Sequence, residues 1–153
     1  MSIEEPEAIA RRFVETWNAK DTQGLETLFH PDFTWHIAVT PPDVSEMRPM
    51  HSKLLKGMNL PWEKAIYDKA ETIRIFSNIF ANTPSFGIEL VSITAQENRV
   101  ALEVTGKQGN ENPANGRQYS NIYCYMFTVK DGLVILFREY QDTLLLFDVW
   151  VAD

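Results

Sequence analysis

Cysteine is almost missing from this chain of 153 residues, where Cys124 stands alone. An internal disulfide is thereby excluded, as is a zinc site built from several thiolates. With no cationic neighbour in sequence to activate it, Cys124 reads as a small buried hydrophobe. Histidine is scarce too, three in all. None has a His-x-x-x-His or acid partner at ligand spacing, so His36 and His51 read as surface or hydrogen-bonded side chains and no metal is expected. Positive charge is in deficit, 14 Lys and Arg against 21 Asp and Glu, a formal charge of −7. Such a surface repels nucleic acid and anionic lipid, and neither is expected as a partner. No apolar run approaches the length that crosses a bilayer, and the acidic start Met-Ser-Ile-Glu-Glu-Pro-Glu is unlike a signal peptide. The expected location is cytoplasmic.

Apolar surface, by contrast, is plentiful: 44% of residues are hydrophobic, with nine Phe, five Tyr and four Trp. The length suits one compact domain over residues 1–153, and no repeat or Gly/Ser linker divides it. Ser2 and Glu5 read as a capping box for a first helix, whose Ile9, Phe13 and Trp17 make one apolar face with Ala10 and Val14. Asp21 can cap a shorter second helix carrying Leu25, Leu28 and Phe29, stopped by Pro31. Residues 33–39 are aromatic and β-branched and predict a strand, followed by a Pro-containing loop over 40–58. Asn59 and Pro61 then predict a third helix with Trp62, Ile66, Ala70, Ile73, Phe76 and Phe80 at helical spacing. From Phe86 onward the pattern is strands, 86–95, 99–107, 117–130 and 133–142, the last two joined by Asp131-Gly132, a strong hairpin signal. Helices first and an antiparallel meander after them predict an α+β fold with the helices covering one face of a curved sheet.

The order of elements, the stretches Ile9–Asp21 and Leu28–Phe33, then Gly116–Tyr123, Asp131–Val134 and Arg138–Asp142, resemble the SnoaL-like and ketosteroid isomerase-like proteins of the nuclear transport factor 2-like superfamily. The resemblance spans nearly the whole chain apart from residues 40–58. It implies a cone-shaped, cystatin-like α+β barrel. In that fold three helices pack on a strongly curved, mainly antiparallel sheet around a ligand cavity, and members commonly dimerise through the outer sheet face. A homodimer is therefore expected. The resemblance is weak on the reaction, because that superfamily hosts isomerases, cyclases, epoxide hydrolases, dehydratases and proteins without chemistry.

The family chemistries transfer unevenly. At the positions where steroid isomerases carry a Tyr, a carboxylate base and a protonated acid, this chain has Phe13, Ile37 and Tyr125, which leaves no base. The limonene epoxide hydrolase triad would fall on Glu139, Val104 and Gly106, leaving one carboxylate unless Glu103 has taken over. Polyketide cyclases of the SnoaL type place an acid near the last strand, and Glu139 matches that role. On a strand, Glu139 shares its face with Phe137 and Gln141, where poor solvation would raise its pKa toward neutrality. The bland alternative is an acid paired across the sheet or a dimer interface. Tyr119, Asn121, Tyr123, Tyr125 and Phe127 share one face of the preceding strand and mix flat apolar area with hydrogen-bonding groups. The candidate set is Glu139 for catalysis, with Trp35, Trp62, Asn121, Tyr123 and Tyr125 for a ligand. It predicts a cofactor-independent enzyme moving protons on a small apolar or aromatic ring compound, by isomerisation, cyclisation, dehydration or hydration. The alternative is a non-catalytic ligand-binding or dimerisation module. The apolar tail from Thr143 is expected to cap the open end of the cone or to pack on a partner subunit.

Overall fold

The computed structural model describes residues 4–37, 66–107 and 109–150. Helix α1, Glu4–Asn18, buries Ile9, Ala10, Phe13, Val14 and Trp17, the stripe its spacing predicts. Helix α2, Thr22–Leu28, begins where the Asp21 side chain accepts from Gly24 N at 2.8 Å. It ends before Phe29, which opens strand β1, Phe29–Ile37, instead of closing the helix. Pro31 is tolerated inside that strand because the pairing of β1 with its neighbour shifts register between Phe29 and Thr34, where a missing N–H costs no ladder bond.

Among the described residues the third helix begins later than its apolar spacing suggests. Ile66–Asp68 is a short strand, β2, and helix α3 runs Lys69–Asn82. The start is set by a capping box: Asp68 Oδ1 accepts from Glu71 N at 2.9 Å and Glu71 Oε2 accepts from Asp68 N at 3.0 Å. Ile66 is thus a strand residue, and the expected helical start over 59–65 and the loop over 40–58 lie outside the described residues. Thr72, Ile75, Phe76 and Phe80 form the buried face of α3.

Four further strands follow: β3 Ile88–Gln96, β4 Arg99–Gly106, β5 Ile122–Lys130 and β6 Leu133–Gln141. The six strands lie in the order β2-β1-β6-β5-β4-β3, with β1 and β6 parallel and every other pairing antiparallel. Register shifts in β1/β6, β3/β4 and β5/β6 bend the sheet so that it wraps α1 and α3 without closing. Asp131 and Gly132 turn the last hairpin with φ of 51° and 75°, both in the left-handed region that a type I′ turn requires.

Strand β5 starts at Ile122, not at residue 117. Before it, Gln118 makes only an isolated bridge with Glu111, and the Asn121 side chain substitutes for ladder bonds by accepting from Asp142 N at 3.1 Å and donating to Asp142 O at 3.1 Å. Helix α4, Thr143–Trp150, folds the apolar tail back onto its own chain. The Asp142 carboxylate caps Leu144 N and Leu145 N, and Asn112 and Asn115 each donate to Val149 O at 3.0 Å. Leu146 and Val149 are buried while Leu144 is 81% exposed. No helix among the described residues is long and apolar enough to cross a membrane.

Candidate functional site

The inner face of the sheet is an aromatic layer. Phe13 of α1 meets Phe127, Phe137 and Tyr125 edge-on at centroid distances of 5.0, 5.6 and 6.1 Å, and Trp35 stacks on Phe137 at 6.1 Å. Alternation along β5 sends Tyr123, Tyr125 and Phe127 inward, and the inward set continues through Tyr119 and Asn121 ahead of the strand. On β6 the same face carries Phe137, Glu139 and Gln141, in register with Phe127, Tyr125 and Tyr123. On β1, Trp35 and Ile37 lie opposite Phe137 and Glu139.

Glu139 is the carboxylate within this layer. Trp35 Nε1 donates to its Oε2 at 3.1 Å. The residue as a whole keeps some accessible surface, but its carboxyl group lies inward, and burial pushes its pKa up to about 7 against the opposing effect of the indole hydrogen bond. The tyrosines respond in the same sense. Burial first, and the Glu139 charge among lesser causes, raise the phenols of Tyr119, Tyr123 and Tyr125, so all three remain protonated hydrogen-bond donors at neutral pH. An acid that titrates near neutrality beside three un-ionised phenols can accept a proton and return it.

The polar groups around Glu139 are held in one sense of donation. Asn121 Oδ1 accepts two backbone N–H groups, from Ile122 at 2.7 Å and Asp142 at 3.1 Å, which fixes its amide orientation. Its Nδ2 therefore donates, to Tyr119 Oη at 3.0 Å. The single Tyr119 proton goes on to Gln141 Oε1 at 3.0 Å. Asn121 thus has its amide engaged by the fold on every side. It acts on the site by holding Tyr119, where sequence reasoning expected it to touch a ligand. Tyr123 Oη and Gln141 Nε2 are buried with no hydrogen-bond partner. Tyr119 is close enough to Tyr123 to influence its ionisation, yet not in hydrogen-bonding geometry to it.

The structure brings together Trp35, Tyr123, Tyr125 and Glu139, with Asn121 behind them; Trp62 lies outside the described residues. Tyr119 and Gln141 belong to the same cluster, and both could have been found from period two counted from Tyr123 and from Glu139. Glu103 does not join it: its carboxylate accepts from Ser92 Oγ at 3.1 Å on the solvent side. Cys124 is likewise exposed on the outer face and not buried as expected, because it sits one residue out of phase with Tyr123 and Tyr125. Its thiol is pushed up by partial burial and by Glu103. His36 also faces outward beside Arg138, and desolvation and that guanidinium lower its pKa. His51 lies outside the described residues. Among the described residues no cluster of His, Cys, Asp and Glu could hold a metal ion.

A family model described as a SnoaL-like domain matches residues 10–137. Solved structures of similar shape include an NTF2-like protein of unknown function from Burkholderia pseudomallei, with a TM-score of 0.73 and 16% identity over 99% of this chain and 100% of that one. IdmH from Streptomyces antibioticus, a candidate polyketide cyclase, superposes with a TM-score of 0.67 and 18% identity over 94% and 96%. An LEH-like epoxide hydrolase from M. tuberculosis does so with a TM-score of 0.66 and 16% identity over 97% and 90%. At these identities the likeness establishes the fold. No curated protein matches the sequence significantly.

Proposed function

The chain belongs to the SnoaL-like domain family, and from that membership we propose that it binds a small, largely apolar ring compound against the inner face of its sheet and moves protons on it. Glu139 is the acid/base, Trp35 orients its carboxyl, and Tyr125 and Tyr123 direct the ligand. No cofactor takes part. The observation that carries this reading is Glu139 itself: a carboxylate set among aromatic rings, anchored by one indole N–H and poised at about 7. A buried carboxylate with no cationic partner among the described residues is costly to keep, and the usual return on that cost is chemistry.

The protein acts as a homodimer in the cytoplasm, joined through the outer sheet face, where Ile122 is 62% exposed and Tyr140 is 44% exposed. Sedimentation showing only monomer at micromolar concentration would count against the dimer.

Native mass spectrometry of the purified protein identifies a captured compound. That compound is then incubated in heavy water with the wild type and with Glu139→Gln. Exchange of deuterium into the compound by the wild type and not by the variant is the expected result. Binding with equal exchange by both removes Glu139 as the acid/base. The second reading, a non-catalytic binding or dimerisation module, draws on the tight mutual packing of Phe13, Phe127, Phe137 and Trp35, and would stand if no exchange occurs in either protein.

A further inference from the structure

Asn115 is the one asparagine of the chain that precedes a glycine. In such a pair the backbone nitrogen of the second residue can reach the side-chain amide carbon of the first, because glycine has no side chain to block the approach. Every other asparagine is followed by a bulkier residue or, at Pro113, by one with no N–H to lose. Asn115 and Gly116 are exposed in the turn ahead of β5, with Gly116 at φ 70°. Apart from its chain neighbours, no atom stands within 4 Å of where a Cβ on Gly116 would lie, so water reaches the pair freely.

The same asparagine ties down α4. Its Nδ2 donates to Val149 O at 3.0 Å, and its Oδ1 accepts from Arg117 N at 3.0 Å. Asn112 Nδ2 donates to the same Val149 carbonyl at 3.0 Å, and the Arg117 guanidinium donates to Asp148 O. Three side chains of one turn thus satisfy carbonyls at the end of α4 that no helical N–H can reach. Behind this latch Trp150 packs edge-on against Tyr119 at 5.7 Å, at the border of the candidate site. While α4 is seated, the Asn115 amide is held at both ends and Gly116 N donates to Asn112 O at 2.8 Å, which keeps nucleophile and electrophile apart. Lifting α4 removes the acceptor that holds Nδ2.

We propose that Asn115 is a site of spontaneous deamidation, and that its reaction releases α4 in one direction only. Gly116 N attacks Asn115 Cγ and closes a cyclic imide; the Cγ–Nδ2 bond breaks, and the amide nitrogen leaves as ammonia with the proton lost from Gly116 N. Solvent water then opens the ring at either carbonyl, giving aspartate or isoaspartate. Both products carry a carboxylate with no proton to give Val149 O, so two acceptors face each other where a hydrogen bond had been. Isoaspartate also adds a carbon to the main chain of the turn. Arg117 gains a carboxylate neighbour that competes with Asp148 O for its guanidinium. The reaction needs nothing from Glu139 and stands apart from the proposed proton transfer.

The test is incubation of the full chain at mildly alkaline pH, followed by digestion in acid and peptide mass spectrometry. Conversion of amide to acid at Asn115 should outpace that at every other asparagine, with isoaspartate among the products. Leu146→Ala removes a buried contact of α4 and should speed the conversion by about tenfold or more through a larger open population, whereas Leu144→Ala, at an exposed position, should leave the rate unchanged. Asn115→Gln, which keeps an amide but must close a larger ring, should resist conversion. Hydrogen exchange over residues 143–150 should be faster in Asn115→Asp than in the wild type. Should Leu146→Ala fail to fold, Arg117→Ala takes its place by deleting a latch bond. Conversion at Asn115 no faster than at other asparagines overturns the site. Equal rates in the wild type and the loosened variant, or unchanged exchange over 143–150 in Asn115→Asp, overturns its hold on α4.

Discussion

Replacing Glu139 by Gln should stabilise the protein, and by an amount that depends on pH. In the unfolded chain the carboxyl titrates at its ordinary value of 4.5, whereas in the fold it holds its proton to about 7. Below the lower value the group is neutral in both states and the fold is not penalised. As pH rises through the interval, the unfolded state loses its proton first, and folding stability falls until the upper value is passed. The full interval corresponds to roughly 3 kcal/mol of lost stability, and the surface that Glu139 retains reduces this to about half, on the order of 1–2 kcal/mol. Gln keeps an acceptor for Trp35 Nε1 and cannot ionise. Urea titrations of both proteins from about pH 4.5 to about pH 8 should therefore give midpoints that nearly coincide in acid and separate steadily above it, the variant being the more stable. A gap that stays constant with pH, or that favours the wild type at the alkaline end, would refute the assignment of a raised pKa to this carboxyl.

Trp35→Phe keeps most of the ring packing but removes the one hydrogen bond that favours the ionised carboxylate, so the infrared signature of Glu139 deprotonation should move to higher pH; a move to lower pH contradicts the role given to the indole. Two phenol deletions in the same layer should differ sharply. Tyr119→Phe breaks bonds to Asn121 and Gln141 and is expected to cost about 1–3 kcal/mol, while Tyr123→Phe removes an unpartnered hydroxyl and should be neutral or stabilising, as thermal denaturation will show. Equal losses for the pair would mean that the Tyr123 hydroxyl has a partner in solution. Ending the chain after Asp142 removes buried Leu146 and Val149 and should promote aggregation seen by light scattering; a truncated protein that is soluble with an unchanged melting point would show that α4 is dispensable.

Much of the architecture could be read from local signals. Period-two alternation placed Tyr123, Tyr125 and Glu139 on one inward face, and the Asp131-Gly132 turn marked the last hairpin, because strand facing and turn type depend on neighbouring residues alone. The structure departs from the local pattern where a longer-range or competing signal prevails. Ile66 fits the helical spacing of Ile73 and Phe80, but the Asp68–Glu71 capping box sets the boundary, and the short strand before it is stabilised by pairing with β1, which local propensity cannot reveal. Pro31 reads locally as a helix stop that leaves Phe29 in α2, whereas a register shift in the sheet absorbs the proline. The lack of a cationic neighbour suggests a buried thiol at Cys124, but the same alternation that buries Tyr123 and Tyr125 sends it out. At the candidate site, Glu139 was legible from family position and parity. The Asn121–Tyr119–Gln141 chain was not, since its order depends on which backbone N–H groups the folded chain brings to Asn121.

The parallel pairing of β1 with β6 has a consequence for how the molecule comes into being. It joins residues 29–37 to residues 134–139, and the bond from Trp35 to Glu139 spans 104 positions of sequence. Such a contact carries a large loop-closure cost and can be made only after the intervening hairpins have collapsed. During synthesis the edge of the first strand that faces β6 stays unpaired until residues 134–139 have left the ribosome. The Trp35–Glu139 bond is then made in the same step that seals the sheet, so a half-made chain exposes apolar surface before Glu139 is anchored.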